Sequence, residues 1–221
     1  MGLLVGGALA AAVSRLRHSG MRVAYTRKIF HFGIFSGAAA THVAWGLPGT
    51  NAYGAAVAIL VLVAVLRGDG DAFYEALARE SDRPRRSLFI VVPLVTTAVG
   101  GLASALLAGP FASVGYLVTG WGDAVGEPVG SRWGRHPYRV PSLAGVAAER
   151  TLEGSLAVLV AAWAAAAVAL TGVGVAAGAP LLLIALACAG VGATVEAVSH
   201  HGMDNLTVQI AVSLAAAWLA G

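Results

Sequence analysis

Charge and apolar sequence barely mix in this chain. Apolar stretches at 2–14, 29–45, 52–66, 87–107, 109–126, 153–171, 175–196 and 204–220 alternate with connections that hold most of the ionisable groups. A membrane-crossing helix needs about 20 mainly apolar residues, within a range of ~17–25. The pattern therefore predicts an all-α, polytopic integral membrane protein of seven to eight transmembrane helices, one domain over residues 1–221. The composition agrees: 58% of residues are hydrophobic, 11% are charged and the mean hydropathy is +0.79. A soluble domain carries about 25% charged residues.

The connections alternate in charge. All fourteen Lys and Arg residues lie in or at the edge of 15–28, 67–86, 127–152 and 197–203, whereas "GLPGTN", "AGP" and "GVGVAAGAP" carry none. The positive-inside rule places the charged set in the cytoplasm. With eight spans, both termini face out. Topology thus accounts for the pI of 9.4, and no nucleic-acid partner is needed. The N-terminus, "MGLLVGGALAAAVSRLRH", is apolar first and basic afterwards. A secretory signal has the reverse order, so we read a retained first helix. Cys188 stands alone within "LLLIALACAG", which excludes a disulfide framework and reads as a buried thiol. The segment 67–86 has charges of alternating sign and predicts a short surface helix between turns.

Acidic residues gather with the basic ones, although topology does not require them there. Four clusters stand out. In "RKIFHF", Arg27, Lys28 and His31 share one helix face at spacings of three and four. They can serve as a basic anchor, but His31 lies inside an apolar run, where an ionisable group is costly and marks function by default. In "GWGDAVGEPVGSRWGRH", Gly122, Gly126, Gly130 and Gly134 recur every fourth residue, with Asp123 and Glu127 in the same spacing and Arg132 and Arg135 after them. Glycines so spaced let helices approach closely and let backbone N–H groups approach phosphates. They do not explain the acids. Pro128 predicts a kink or helix end nearby. Asp123 is a candidate magnesium ligand or general base, and Arg132 and Arg135 are candidate phosphate clamps.

"ERTLEGS" precedes an apolar span, with Thr151 as a predicted N-cap, Arg150 and Glu153 as charges and Gly154 allowing close approach. In "EAVSHHGMDNLTVQI", Asp204 predicts a cap for the last span, Asn205 follows it, and Gln209 is expected to bond a neighbouring helix. His200 and His201 are adjacent and would point apart on a helix; without a third ligand they do not read as zinc. Cations, carboxylates and helix N-termini at one membrane face suit phosphoryl transfer. Neither the GxxxxGK[ST] loop nor the protein-kinase signatures occur.

In order, "RKIFHF", "GDAVGEPVGSRWGRH", "RTLEGS" and "E…GMDNLT" resemble the signatures of the dolichol kinase / phytol kinase family. That pattern is roughly R-K-x-x-H, G-D-x-x-A/G-x-x-x-G-x-x-x-G, K-S/T-x-E-G-S and a late D-N-x-T. Arg150 stands where lysine is common, and "EPVG" departs from the usual phytol-branch form. The resemblance implies magnesium-dependent transfer of the γ-phosphate of CTP to the hydroxyl of a membrane alcohol of phytol or polyprenol type. It implies Asp123, Glu153 and Asp204 as catalytic acids, with Asp123 and Asp204 as metal ligands. Arg27, Lys28, His31, Arg150, Thr151, Gly154, Ser155 and Asn205 would join the glycines and arginines of the second cluster around the nucleotide. Implied partners are a nucleoside triphosphate and a membrane-embedded lipid alcohol, and an oligomer is possible. Two other readings stand beside it: a cytidylyltransferase making a CDP-lipid, and a small transporter of phosphorylated solutes. A transporter would place polar groups at mid-membrane and show internal symmetry, neither of which the sequence displays.

Overall fold

An apolar chain in lipid must satisfy its backbone within each segment, so helix is the expected outcome. The computed structural model describes residues 2–141, 148–200 and 202–221. Its helices are α1 (Gly2–His18), α2 (Val23–Arg67), α3 (Ala72–Leu77), α4 (Leu88–Ala108), α5 (Ala112–Trp133), α6 (Leu152–Gly172), α7 (Ala179–Val198) and α8 (Asp204–Ala220). The only sheet among the described residues is an antiparallel ribbon of β1 (Pro137–Val140) and β2 (Ala148–Thr151).

Among the described residues, four stretches are long and apolar enough to cross a membrane: Val23–Arg67, Leu88–Trp133, Leu152–Gly172 and Ala179–Val198. The first two would each be nearly 70 Å long if straight, over twice the ~30 Å hydrocarbon core. Neither is straight. Within α2, Gly46 has φ 61° and ψ −156°, and Pro48 follows; a side chain at that positive φ would be strained. Tyr53 then packs directly on Gly37, which a straight helix would place ~24 Å away. The chain also reverses between α4 and α5 at Gly109 (φ 55°) and Pro110, and the Tyr116 hydroxyl donates to the Gly101 carbonyl at 2.7 Å. His42 joins the two reversals. Its Nε2 bonds the Gly109 carbonyl at 2.9 Å and its Nδ1 bonds the Thr50 hydroxyl at 3.0 Å.

Helix α5 is the hub, buried without interruption from Ala112 to Gly120. Its small residues set the spacing. Phe35 of α2 lies on Gly120, Ser213 of α8 lies on Gly115, and Val158 of α6 lies on Gly122 and Gly126. On α6, Ala162, Ala165, Ala166 and Ala169 are buried. Lipid provides no hydrophobic drive for helix association, so close packing of small residues takes its place. Large apolar side chains face outward, among them Leu66 (86% exposed), Trp218 (84%) and Leu4 (78%). These features fit a membrane protein.

Three local expectations are corrected. Pro128 does not end the helix, since α5 continues to Trp133; Gly126 and Gly130 pack against α6 on either side of it. The segment read as a loop after that helix contains the β-ribbon. Asp204 is the first residue of α8, with Met203 at the cap position. Thr151 does cap α6, accepting from the Gly154 N–H at 3.1 Å. Gln209 donates to the Thr97 carbonyl on α4 at 3.4 Å, and α3 is the short helix expected in 67–86.

A Cβ at Gly126 would run into Val158 and come within 3.4 Å of the Gly154 carbonyl. Gly126→Leu is therefore expected to destabilise the bundle by about 1–3 kcal/mol through overpacking, read as a lower melting temperature in detergent. An unchanged melting temperature would show that α5 and α6 do not pack this closely.

Candidate functional site

One end of the bundle collects the chemistry. The start of α2, the second half of α5, the ribbon, the starts of α6 and α8 and the end of α7 surround a cavity of about 520 Å³, within the range of small-molecule sites. At its centre the Lys28 ammonium from α2 lies between two carboxylates of α5, 2.6 Å from Asp123 Oδ1 and 2.8 Å from Glu127 Oε2. Asp123 and Glu127 are one helical turn apart, so a single cation reaches both. His31, one turn after Lys28, sets Nε2 3.3 Å from Asp123 Oδ2, without the alignment of a hydrogen bond. Arg79 reaches in from the segment after α3 and donates to both Glu127 oxygens at 2.5 and 2.7 Å.

A second group lies across the cavity. Arg150 of β2 places Nε 2.9 Å from Glu196 Oε1 on α7 and Nη2 3.1 Å from Asp204 Oδ2 at the start of α8. Its Nη1 and the Glu196 Oε2 are buried with no hydrogen-bond partner among the described residues. Buried polar atoms of this kind are costly, and both residues line the cavity. A small recess lined by Val118, Gly122, Val158 and Val208 together with Asp123, Glu196, Asp204 and Asn205 adjoins both groups.

Of the residues singled out in the sequence, Arg27, Lys28, His31, Asp123, Gly126, Gly130, Arg150, Thr151, Gly154, Ser155, Asp204 and Asn205 line the cavity. Others lie outside its lining. Gly122 packs on Val158, and Gly134 packs on Thr151. Arg132 stacks over Trp133 with its guanidinium 5.2 Å from the ring centroid. Arg135 is exposed, and its backbone N–H donates to Glu153 at 3.0 Å. Glu153 also bonds His136 Nδ1 at 2.7 Å, so it secures the chain between α5 and β1. His201 lies outside the described residues.

Glu127, Glu196 and Arg79 join the site without having been singled out as site residues. Two of them had a signal: Glu127 is one turn from Asp123, and Glu196 is an acid ending an apolar run. Arg79 had none, because a charged surface segment offers several equivalent arginines. Its position depends on Arg86, which donates to Glu75 at 2.7 Å, to Asp69 at 2.6 Å and to the Ala78 carbonyl at 3.0 Å.

The lining carries four cations, Arg27, Lys28, Arg79 and Arg150, against six carboxylates that include Asp82 and Glu149. An anion entering this space needs added positive charge. Magnesium is commonly held by one or two carboxylates together with substrate phosphates. Asp123, Glu127, Glu196 and Asp204 all bring carboxylates to the cavity. Among the described residues no three His, Cys, Asp or Glu side chains form a metal site by themselves.

No protein-family profile and no solved structure matches the chain. A curated phytol kinase of Synechocystis sp. is 34% identical over 109 residues, covering 48% of this chain and 43% of the relative. The chain thus matches less than half the length of that relative.

The segment carrying Arg79 should loosen in acid. The Arg86 guanidinium, hydrogen-bonded to Glu75, holds the Glu75 carboxyl below the ordinary 4.5, against a smaller opposing effect of burial. A depressed carboxyl stabilises the fold fully above its unfolded value and loses that contribution as pH falls through the folded one. Amide exchange across 69–86, corrected for its intrinsic pH dependence, is expected to accelerate below about pH 4.5. Glu75→Gln should exchange faster at neutral pH and show a smaller acid step, the remainder coming from Asp71 and Glu80. A wild-type segment that stays protected in acid would contradict this.

Proposed function

We propose that this chain is a membrane kinase that transfers the γ-phosphate of CTP to the hydroxyl of an isoprenoid or related lipid alcohol, with magnesium. The observation that carries the reading is one cavity that joins fixed cations and carboxylates to an apolar wall. The partial similarity to a phytol kinase and the four ordered motifs support the same chemistry. In this reading the helices cross the membrane eight times, α2 supplying two spans on either side of Gly46, and the site faces the cytoplasm. The arginine-rich connections support that orientation.

Phosphoryl transfer needs positioning and charge stabilisation more than covalent chemistry from the protein. The alcohol oxygen bonds the γ-phosphorus as the bond to the bridging oxygen breaks, and CDP leaves. Arg150 offers its buried Nη1 towards the phosphates, while Lys28 and Arg79 balance Asp123 and Glu127. Asp123 is the carboxylate assigned to meet the acceptor hydroxyl and take its proton. Asp204 and Asn205 close the opposite side. When bound, magnesium would supply neutralisation of the phosphate oxygens.

The test uses purified protein in detergent with magnesium, γ-labelled CTP or ATP, and phytol, a short polyprenol or diacylglycerol. Label is expected to move from CTP into an isoprenoid alcohol. Folded protein that transfers label from neither nucleotide to any alcohol would sink the reading, and pyrophosphate release would then indicate the cytidylyltransferase. Asp123→Asn is expected to lower kcat by about 10²-fold or more, the scale of a lost general base. Arg132→Gln, away from the cavity, should stay within about twofold of wild type. An Asp123→Asn protein with full activity would remove Asp123 from the mechanism.

A further inference from the structure

The cavity is graded along the helix axes. On α2, Arg27, Phe30, His31 and Ile34 all line it, the spacing of a single helix face. Ile34 lies ~10 Å further along the axis than Arg27. On α4, Ile90, Pro93, Leu94 and Thr97 line it with the same spacing. Val61, from the second half of α2, adds to the same wall. Phe30, Val61 and Ile90 belong to one apolar cluster, against which Ile34 and Leu94 pack. The charged lining comes instead from the first turn of α2, from α5, from the segment before α4, and from the β2, α7 and α8 side.

A nucleotide gains little from an apolar wall placed beyond its phosphates. A hydrocarbon chain whose polar end must reach Asp123 fits both parts at once. The wall also starts at the charged end and runs inward along α2 and α4, the direction a lipid tail takes from an interface. Ile34 and Leu94 line the cavity and are only half-buried.

We propose that the α2–α4 wall holds the hydrocarbon chain of the acceptor alcohol, and that Ile34 and Leu94 set the chain length accepted. This rests on the lipid-alcohol kinase reading above. The nucleotide occupies the charged side, and the acceptor hydroxyl meets it at Asp123.

Two measurements test it. Ile34→Trp and Leu94→Trp proteins are compared with wild type on ten-, fifteen- and twenty-carbon prenyl alcohols. The twenty-carbon kcat/KM is expected to fall about tenfold or more, the ten-carbon value to stay within about threefold, and the KM for CTP to hold. Leu94→Ala should move the preference towards longer chains. Equal losses at every length, or none, would overturn the proposal. Independently of activity, a twenty-carbon alcohol bearing a diazirine at its tail is photolysed on wild-type protein. Label within 30–34 and 90–94, displaced by phytol, supports the wall. Label elsewhere on an active kinase overturns the wall and leaves the kinase standing. Label at the wall of a protein that phosphorylates no alcohol supports the chain site and removes the kinase reading.

Discussion

Everything at the charged end of this bundle depends on the pairing of Lys28 with Asp123 and Glu127, at 2.6 and 2.8 Å. An isolated charge held away from water is too costly to keep. Here one cation answers two acids, and Arg79 completes the second acid from outside the bundle. The pairing draws α2 onto α5, where Lys28 and His31 of α2 both meet Asp123 at the cavity. Arg150, Glu196 and Asp204 repeat the solution across the cavity, joining the ribbon to α7 and α8. Removing one member of such a set costs more than the pair contributes, because the remaining charge is stranded.

Close helix packing makes that arrangement possible. Gly126, Gly130 and Gly154 let α5 and α6 touch through backbone and small groups, and Thr151 caps α6 at the same crossing. The glycines recurring every fourth residue therefore act partly as a packing seam and partly as cavity lining. Gly126 does both: it sits under Val158 and borders the open space. Pro128 falls within the same seam, and α5 continues past it to Trp133.

The cavity divides into a charged side and an apolar side because α2 and α4 change character along their length. Each begins among ionisable groups and becomes apolar a turn or two further in. That gradient is what an interface imposes on any membrane helix. In this fold it faces inward as well as outward, so one cavity has both a charged side and an apolar side.

Much of this was legible before any coordinates. Apolar stretches separated by charged gaps determine helices, because lipid leaves a backbone no other way to bond. Histidine in an apolar run and acids beside a helix end mark the site, because such placement is costly unless used. His31, Asp123 and Asp204 stand out on those grounds, Lys28 by the helix face it shares with His31 and Arg150 by its place before a helix start, and all five line one cavity. Other features depended on the third dimension. Nothing in the order of residues separates Arg79 from its neighbours; the anchoring of Arg86 to Glu75 and Asp69 decides which arginine reaches Glu127. Arg132, Arg135 and Glu153 read as candidates beside Asp123, yet none lines the cavity: Arg132 stacks on Trp133 at the end of α5, and Glu153 at the start of α6 holds the Arg135 N–H and His136. By itself the sequence determined which segments are helical and which residue types are too costly to be idle. Only the tertiary structure decided which of those groups share a cavity, because that depends on how closely α5 packs against its neighbours.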